Sequence, residues 1–280
     1  MTDDGEVTDE AAVTDEVAPD EVAVTDHVEA TVDDDVAAND AQVDRELKRL
    51  TRRGFVTMAV AAGAGYAGWS WLRTRPREGD VPWPLRRVLQ GNESLAETYF
   101  RDARLSPNFR RGDVTRSRVN GHIGLEKPAD LAAWRLQIEG AASPVALTLD
   151  DVKTFPRREM VTELRCIEGW SIVVQWAGAR LADVMQKFPP VERPRFVALE
   201  TPGRGYYVGL DAQSAFHPQT LLAYEMNGQP LPQAHGAPLR LAIPVKYGIK
   251  NIKRIGTIRY TNVRPADFWA ERGYDWYAGH

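Results

Sequence analysis

The first 44 residues carry sixteen Asp/Glu and not one Lys or Arg, and this segregation of charge limits what the chain can fold into more than any motif does. A stretch with no aromatic residue and strong like-charge repulsion cannot bury enough apolar surface to offset its ordering entropy. Near-repeats strengthen the reading: Val7-Thr8-Asp9-Glu10, Val13-Thr14-Asp15-Glu16 and Val24-Thr25-Asp26-His27. Residues 1–44 are therefore expected to form an acidic, disordered extension outside any core. Sixteen of the chain's 39 acids lie there, so the last 236 residues hold 23 acids against 35 bases, and the formal net charge of −4 conceals a basic folded part. A basic surface suits nucleic acid, anionic lipid or an anionic cofactor, and composition does not choose among them. A single Cys excludes a disulfide framework, and 280 residues are enough for one sizeable core without staples.

Residues 45–77 change character. Arg45, Lys48, Arg49, Arg52 and Arg53 precede eighteen uncharged residues, Phe55 to Leu72. A basic region before an apolar run is the pattern of an export signal. Thr51-Arg52-Arg53-Gly54-Phe55-Val56 resembles the twin-arginine signal, an address read by the export machinery, which predicts a periplasmic destination. The same string also reads as the positive-inside flank of a membrane helix. Ala62-Gly63-Ala64 offers a small-residue cleavage site inside the run. Trp69 and Trp71, followed by Arg73, Arg75 and Arg77, look like an interfacial belt. Eighteen residues are just long enough to span a bilayer, so a cleaved signal and a retained membrane anchor both stay open.

Residues 78–280 form the remaining domain. Pro82, Pro84, Pro107 and Pro128 interrupt its first fifty residues, where only Leu95–Arg104 looks helical. From Trp134 the signal is mostly strand. Trp134–Glu139 alternates with period two, and Ala146–Leu149, Met160–Arg165, Leu239–Ile243 and Gly256–Thr261 are strand-like. Asp150-Asp151-Val152 starts a short helical turn. Ala179–Phe188 reads as an amphipathic helix with Leu181, Val184, Met185 and Phe188 on one face. Arg195–Thr201 and Tyr206–Leu210 flank a Gly-containing connection, and Leu221–Met226 meets Asn227-Gly228, a strong hairpin dipeptide. Many short strands with few helices predict an α+β domain built on a mixed or barrel-like sheet.

The chain has no G-x-x-x-x-G-K-[ST] loop, no H-E-x-x-H and no G-x-S-x-G elbow, and its five His are scattered without zinc-like pairing. Chemistry must therefore come from a constellation. Cys166 ends a strand beside Arg165, which favours the thiolate, a soft metal ligand or nucleophile; a small buried core residue is the other reading. Pro244–Arg254 places Lys246, Lys250, Lys253 and Arg254 around Gly248, a string suited to phosphate or, equally, to a solvated basic face. His235-Gly236-Ala237-Pro238-Leu239-Arg240 sets His and Arg on a loop entering a strand, as a binding pair or as a turn with a surface Arg.

Four blocks in order resemble the sulfite oxidase superfamily of molybdenum–molybdopterin oxidoreductases. They are Arg165-Cys166-Ile167-Glu168-Gly169-Trp170-Ser171 with Trp176-Ala177-Gly178 and Leu181; Leu199-Glu200-Thr201; His217-Pro218 with Leu231-Pro232 and His235 to Arg240; and Pro244-x-Lys246-Tyr247-Gly248-x-Lys250-x-Ile252-Lys253, ending in Arg264-Pro265, Trp269 and Tyr277. The resemblance covers roughly 115–280 and is nearest the bacterial branch with the periplasmic methionine-sulfoxide reductase catalytic subunit, which has Cys-Val-Glu-Ala-Trp-Ser at the first block. Sulfite oxidases carry Cys-x-Gly-Asn-Arg there, so Glu168 and Gly169 point away from sulfite oxidation. The resemblance implies a mixed-sheet or barrel-like molybdopterin-binding fold and Mo-molybdopterin as cofactor. It implies Cys166 as the protein thiolate on molybdenum, Glu168 as a proton relay at the open side, and Tyr277 near the substrate. Asn120 and His122 would bond the pterin, Thr201 would bind the pterin region, His235 and Arg240 would flank its phosphate, and Asn251, Ile252 and Lys253 would clamp it. The implied activity is oxygen-atom transfer on a small substrate, foremost sulfoxide reduction, with sulfite oxidation or a metal-free binding module as alternatives. Electrons would come from a membrane haem protein or a cytochrome, and nucleic acid is not an expected partner.

Overall fold

The computed structural model describes residues 22–101 and 103–280, with side-chain surroundings from residue 39 onward. The chain divides into two compact units, the first ending at Trp71 and the second spanning Leu72–His280.

In the first unit α1 runs Val22–Arg73. Residues 1–21 of the acidic extension lie outside the described residues, and from Val22 the backbone is helical rather than irregular. Pro19 and Pro76 flank this stretch and no proline falls between them, so nothing in the sequence breaks the helix. Its described side chains are exposed as far as Trp71, Phe55 at 73%. Among the described residues no helix is long and apolar enough to cross a membrane. Eight of the eighteen residues in the uncharged run are Ala or Gly, which add little transfer free energy.

In the second unit β1 (Arg77–Glu78) and β2 (Val81–Pro82) form a minimal hairpin before α2 (Trp83–Tyr99). This helix starts well before the expected Leu95. Pro84 lies in its first turn, where the missing N–H has no partner to lose and the fixed φ suits the helix; the proline read as a breaker is a starter. There follow β3 (Leu136–Glu139), β4 (Val145–Leu147), α3 (Leu149–Lys153), β5 (Arg157–Arg165), β6 (Ser171–Arg180), α4 (Leu181–Lys187), β7 (Phe196–Glu200), β8 (Tyr207–Asp211), α5 (Ala212–Phe216), β9 (Leu221–Met226), β10 (Gln229–Pro230), β11 (Arg240–Ala242) and β12 (Thr257–Thr261).

One sheet has the order β4-β3-β12-β7-β8 and is mixed, β3 and β12 being parallel. The other, β10-β9-β6-β5 with β11 also on β9, is antiparallel. The α+β expectation with a mixed sheet is met; neither sheet closes into a barrel. One buried cluster takes Leu136, Leu199, Leu210 and Ile258 from the mixed sheet, Leu222 and Leu241 from the antiparallel sheet, and Leu181, Val184 and Met185 from α4. The core thus joins both sheets. Asn227 (φ 53°) and Gly228 (φ 74°) make the positive-φ turn that their types predict. Strand β6 is absent from the sequence expectation because much of it is covered on both faces and its apolar run does not alternate. It pairs with β5 from Arg157↔Ala179 to Arg165↔Ser171, and the open end of that ribbon is where the site begins.

Candidate functional site

Cys166 is the first residue of the connection from β5 to β6. Its N–H donates to the Trp170 carbonyl (2.9 Å), and its own carbonyl accepts from the Gly169 N–H (3.1 Å). Gly169 sits at φ +87°, a conformation that side chains resist, so the Cys-x-x-Gly spacing builds the turn. The turn holds Cys166, 9% exposed, against a cavity of about 530 Å³. Asn120 Nδ2 lies 3.7 Å from Sγ. Glu168 Oε2 accepts from the Trp170 indole N–H at 2.8 Å. The loop after β11 presses on the turn from the other side. At Gly248 a Cβ would lie 3.3 Å from the Arg165 carbonyl oxygen.

Away from Cys166 the cavity wall becomes cationic. Arg240 is buried on β11 and donates to the carbonyls of Leu241 (3.3 Å), His235 (3.0 Å) and Asn251 (3.1 Å). Its guanidinium lies 4.5 Å from the Trp176 ring centre. Among the described residues it has no carboxylate partner, and burial lowers its pKa to about 10. Lys253 Nζ donates to the carbonyls of Asn120 (2.7 Å), Gly121 (2.9 Å) and Ala234 (3.2 Å), and burial, then Arg240, lowers its pKa to about 8. Burial, then Arg240 and Lys253, pulls His235 down to about 4, so its ring is neutral at ordinary pH. Uncompensated buried cations are costly, and an anion seated among them removes that cost.

Cys166, Glu168, Asn120, His122, His235, Arg240, Asn251 and Lys253 line this one cavity, although more than forty residues separate Asn120 from Cys166 and seventy-four separate Cys166 from Arg240. Three expected residues do not. Thr201 Oγ1 accepts from the Tyr206 N–H (3.0 Å) and donates to the Tyr206 carbonyl (3.1 Å), closing the loop between β7 and β8. Ile252 belongs to the core. Tyr277 packs edge-on to Phe100 under the Lys246 ammonium, because the Lys246↔Gly279 bridge pins the last residues beside that loop and away from the cavity. Asn251 faces the cavity, but its side chain staples the loop, accepting from the Ile243 N–H (2.8 Å) and donating to the Tyr247 carbonyl (3.2 Å).

The basic string 246–254 is neither a solvated face nor a single phosphate clamp. Lys250 is buried and paired with Asp267 at 2.5 Å. Arg254 donates to the Lys127 and Ala237 carbonyls. Lys246 is buried with no hydrogen-bond partner for Nζ, and only Lys253 reaches the cavity. Arg118, Trp170, Trp176, Trp269 and Tyr274 also line the cavity without having been singled out as site residues. The tryptophans and Tyr274 were readable only as members of motif blocks or their surroundings, and Arg118 lies in an irregular stretch with no pattern.

Among the described residues no group of three His, Cys, Asp or Glu could hold a metal. Cys166 is the thiol at the cavity, so a metal there would bring most of its ligands with it. A cofactor of that kind with an anionic tail fits what is present: a thiol at one end and counter-ion-free cations at the other.

Residues 122–269 match the family model described as the oxidoreductase molybdopterin binding domain. The catalytic subunit MsrP of protein-methionine-sulfoxide reductase from Xanthomonas campestris pv. campestris is 40% identical over 254 residues, 82% of this chain and 74% of its own. The protein of the same description from Xanthomonas axonopodis pv. citri is 34% identical over 250 residues, 81% and 74% of the two chains. Among solved structures the sulfane dehydrogenase SoxCD of Paracoccus pantotrophus is similar with a TM-score of 0.46 and 16% identity, over 58% of this chain and 46% of that one. The matched span contains the Cys166 turn, Arg240 and Lys253, and the chain belongs to the molybdopterin-binding oxidoreductase family.

Proposed function

We propose that the chain is a molybdopterin-dependent sulfoxide reductase, exported to the periplasm by its twin-arginine-type segment and supplied with electrons by a separate membrane haem protein or cytochrome. The observation that carries the reading is one cavity holding the chain's only thiol and a fully buried guanidinium without a counter-ion. Its relatives' description as protein-methionine-sulfoxide reductase catalytic subunits supports the substrate class. The chain's single Cys cannot build an iron–sulfur set, which supports an external electron source.

When bound, molybdenum-molybdopterin supplies two-electron oxygen-atom transfer. Arg240 and Lys253 would hold its phosphate, with His235 as a neutral neighbour. Asn120 and His122 would bond the pterin, and Cys166 Sγ would be the protein's ligand to the metal. Reduction of a sulfoxide to a thioether consumes two electrons and two protons and releases water. Glu168, tethered by the Trp170 indole, holds a carboxylate where one of those protons can be passed inward. Ile123, Ile167 and Trp176 give the wall an apolar part, which suits a thioether product.

The test is viologen-driven turnover by the isolated, cofactor-loaded protein over a panel of sulfoxides, beside sulfite with cytochrome c as acceptor. Sulfoxide-dependent oxidation of the viologen, lost in Cys166→Ala, is expected. Sulfite turnover without sulfoxide turnover, or X-ray absorption showing no sulfur-ligated molybdenum, overturns the reading.

A further inference from the structure

One cation of the cavity lies beside the turn that carries Cys166. Arg118 stands with its guanidinium 4.6 Å over the Trp170 ring, whose indole N–H is bound to Glu168, two residues from Cys166. Arg240 belongs to the other group, with His235 and Asn251.

The segment bearing Arg118 is clamped on both sides. The Thr115 N–H donates to the Val173 carbonyl at 3.0 Å, and Thr115 Oγ1 accepts from the Val173 N–H at 3.1 Å. Asn227 Nδ2 donates to Ser117 Oγ at 3.3 Å, and the Asn120 carbonyl accepts from Lys253. Arg118 is exposed and forms no ion pair among the described residues, and neither does Arg116 beside it. Among the described residues Glu168 is the only acid on the cavity wall, and it is engaged by Trp170. A guanidinium that stacks on an aromatic ring and has no carboxylate of its own presents a donor fork to a carboxylate from outside.

Resting on the sulfoxide-reductase reading, we infer that Arg118 is a specificity-determining residue that selects methionine sulfoxide in an acidic peptide context. The carboxylate it meets is that of an Asp or Glu flanking the sulfoxide in the peptide. Arg116 adds to the attraction and repels basic neighbours. The apolar wall takes the thioether side chain while Arg118 takes the flank.

The test uses the cofactor-loaded full chain and three peptides of equal length. Each carries one methionine sulfoxide, flanked by Asp, Asn or Lys. Comparing kcat/KM between peptides within one enzyme preparation cancels any loss of folded or loaded protein. The wild type is expected to favour the Asp peptide over the Lys peptide by about five-fold or more, mostly through KM, with the preference shrinking as salt is added. Arg118→Gln should bring the ratio close to that set by Arg116 alone, and Arg118→Lys should restore part of it. Turnover of all three peptides with equal kcat/KM in the wild type, or an unchanged ratio in Arg118→Gln, overturns the inference and leaves the sulfoxide reading intact. No turnover of any sulfoxide, charged or neutral, sinks both.

Discussion

Arg240 and Lys246 are both buried cations without a carboxylate in hydrogen-bonding contact, yet they differ in what they face. Arg240 spends its donors on three carbonyls and lines the cavity, so an anion placed there meets a charge already desolvated. Loading the cofactor should therefore raise the melting temperature of the wild type by several degrees. Arg240→Met should show little of that rise and should retain less molybdenum, which calorimetry and elemental analysis together would reveal. Lys246 faces the Tyr277 ring, with Asp211 3.8 Å away. Burial first, opposed by Asp211, Asp275 and Glu97 and assisted by Lys250, lowers its pKa from 10.5 to about 7. Between those values the unfolded chain holds a proton that the folded chain has released, so this residue's contribution to stability grows as pH rises from about 7 to about 10. The slope is at most about 1.4 kcal/mol per pH unit. Lys246→Met removes it. The variant's stability relative to wild type in urea unfolding should be greatest at pH 7 and below, and should decline toward pH 10; a difference that is flat with pH refutes this.

Two glycines show how elements set the site. In β6, where the pairing with β9 shifts register, a Cβ on Gly178 would lie 2.7 Å from Ala223 Cα and closer still to the Leu222 carbonyl. Both obstacles are backbone, so Gly178→Ala must pry two central strands apart, at a cost expected to exceed about 3 kcal/mol and to be visible as lost soluble protein. Gly248 is a gentler case. Its added Cβ would meet the Arg165 carbonyl at 3.3 Å and Cys166 Cα at 3.8 Å. Gly248→Ala should melt within about 2 °C of the wild type while molybdenum content per chain falls, because the push lands on the thiol-bearing turn. Equal metal content in the two proteins would show that the loop does not position Cys166. Sequence reading found α4, the β7–β8 pair and the Asn227-Gly228 turn, where one face is buried or a dipeptide dictates positive φ. It missed β6, much of which is covered on both faces, and placed the start of α2 too late, because proline opens a helix as readily as it closes one.

At the scale of the whole molecule, the two units carry net charges of opposite sign. Residues 1–71 hold 17 acids and five bases, the basic cluster Arg45 to Arg53 among them, whereas residues 72–280 hold 22 acids and 30 bases. If Arg52 and Arg53 serve export and not catalysis, replacing both with Lys should leave kcat/KM of the purified holoprotein unchanged and move the chain from the periplasmic to the cytoplasmic fraction. Unaltered fractionation would remove the twin-arginine reading and leave the cavity chemistry untouched.

By itself the sequence determined the α+β class, the hairpin turns, the family, and most of the cavity's polar residues, because alternation, turn chemistry and the Cys-x-Glu-x-Trp-Ser block are local patterns. Only the tertiary structure decided which cations face the cavity. Lys250 pairs with Asp267, Arg254 donates to the Lys127 and Ala237 carbonyls, and Lys246 lies over the Tyr277 ring, whereas Arg240, Lys253 and Arg118 face the cavity. The charge of a side chain is written in its residue type, but its solvation and its partners come from segments far away in the chain.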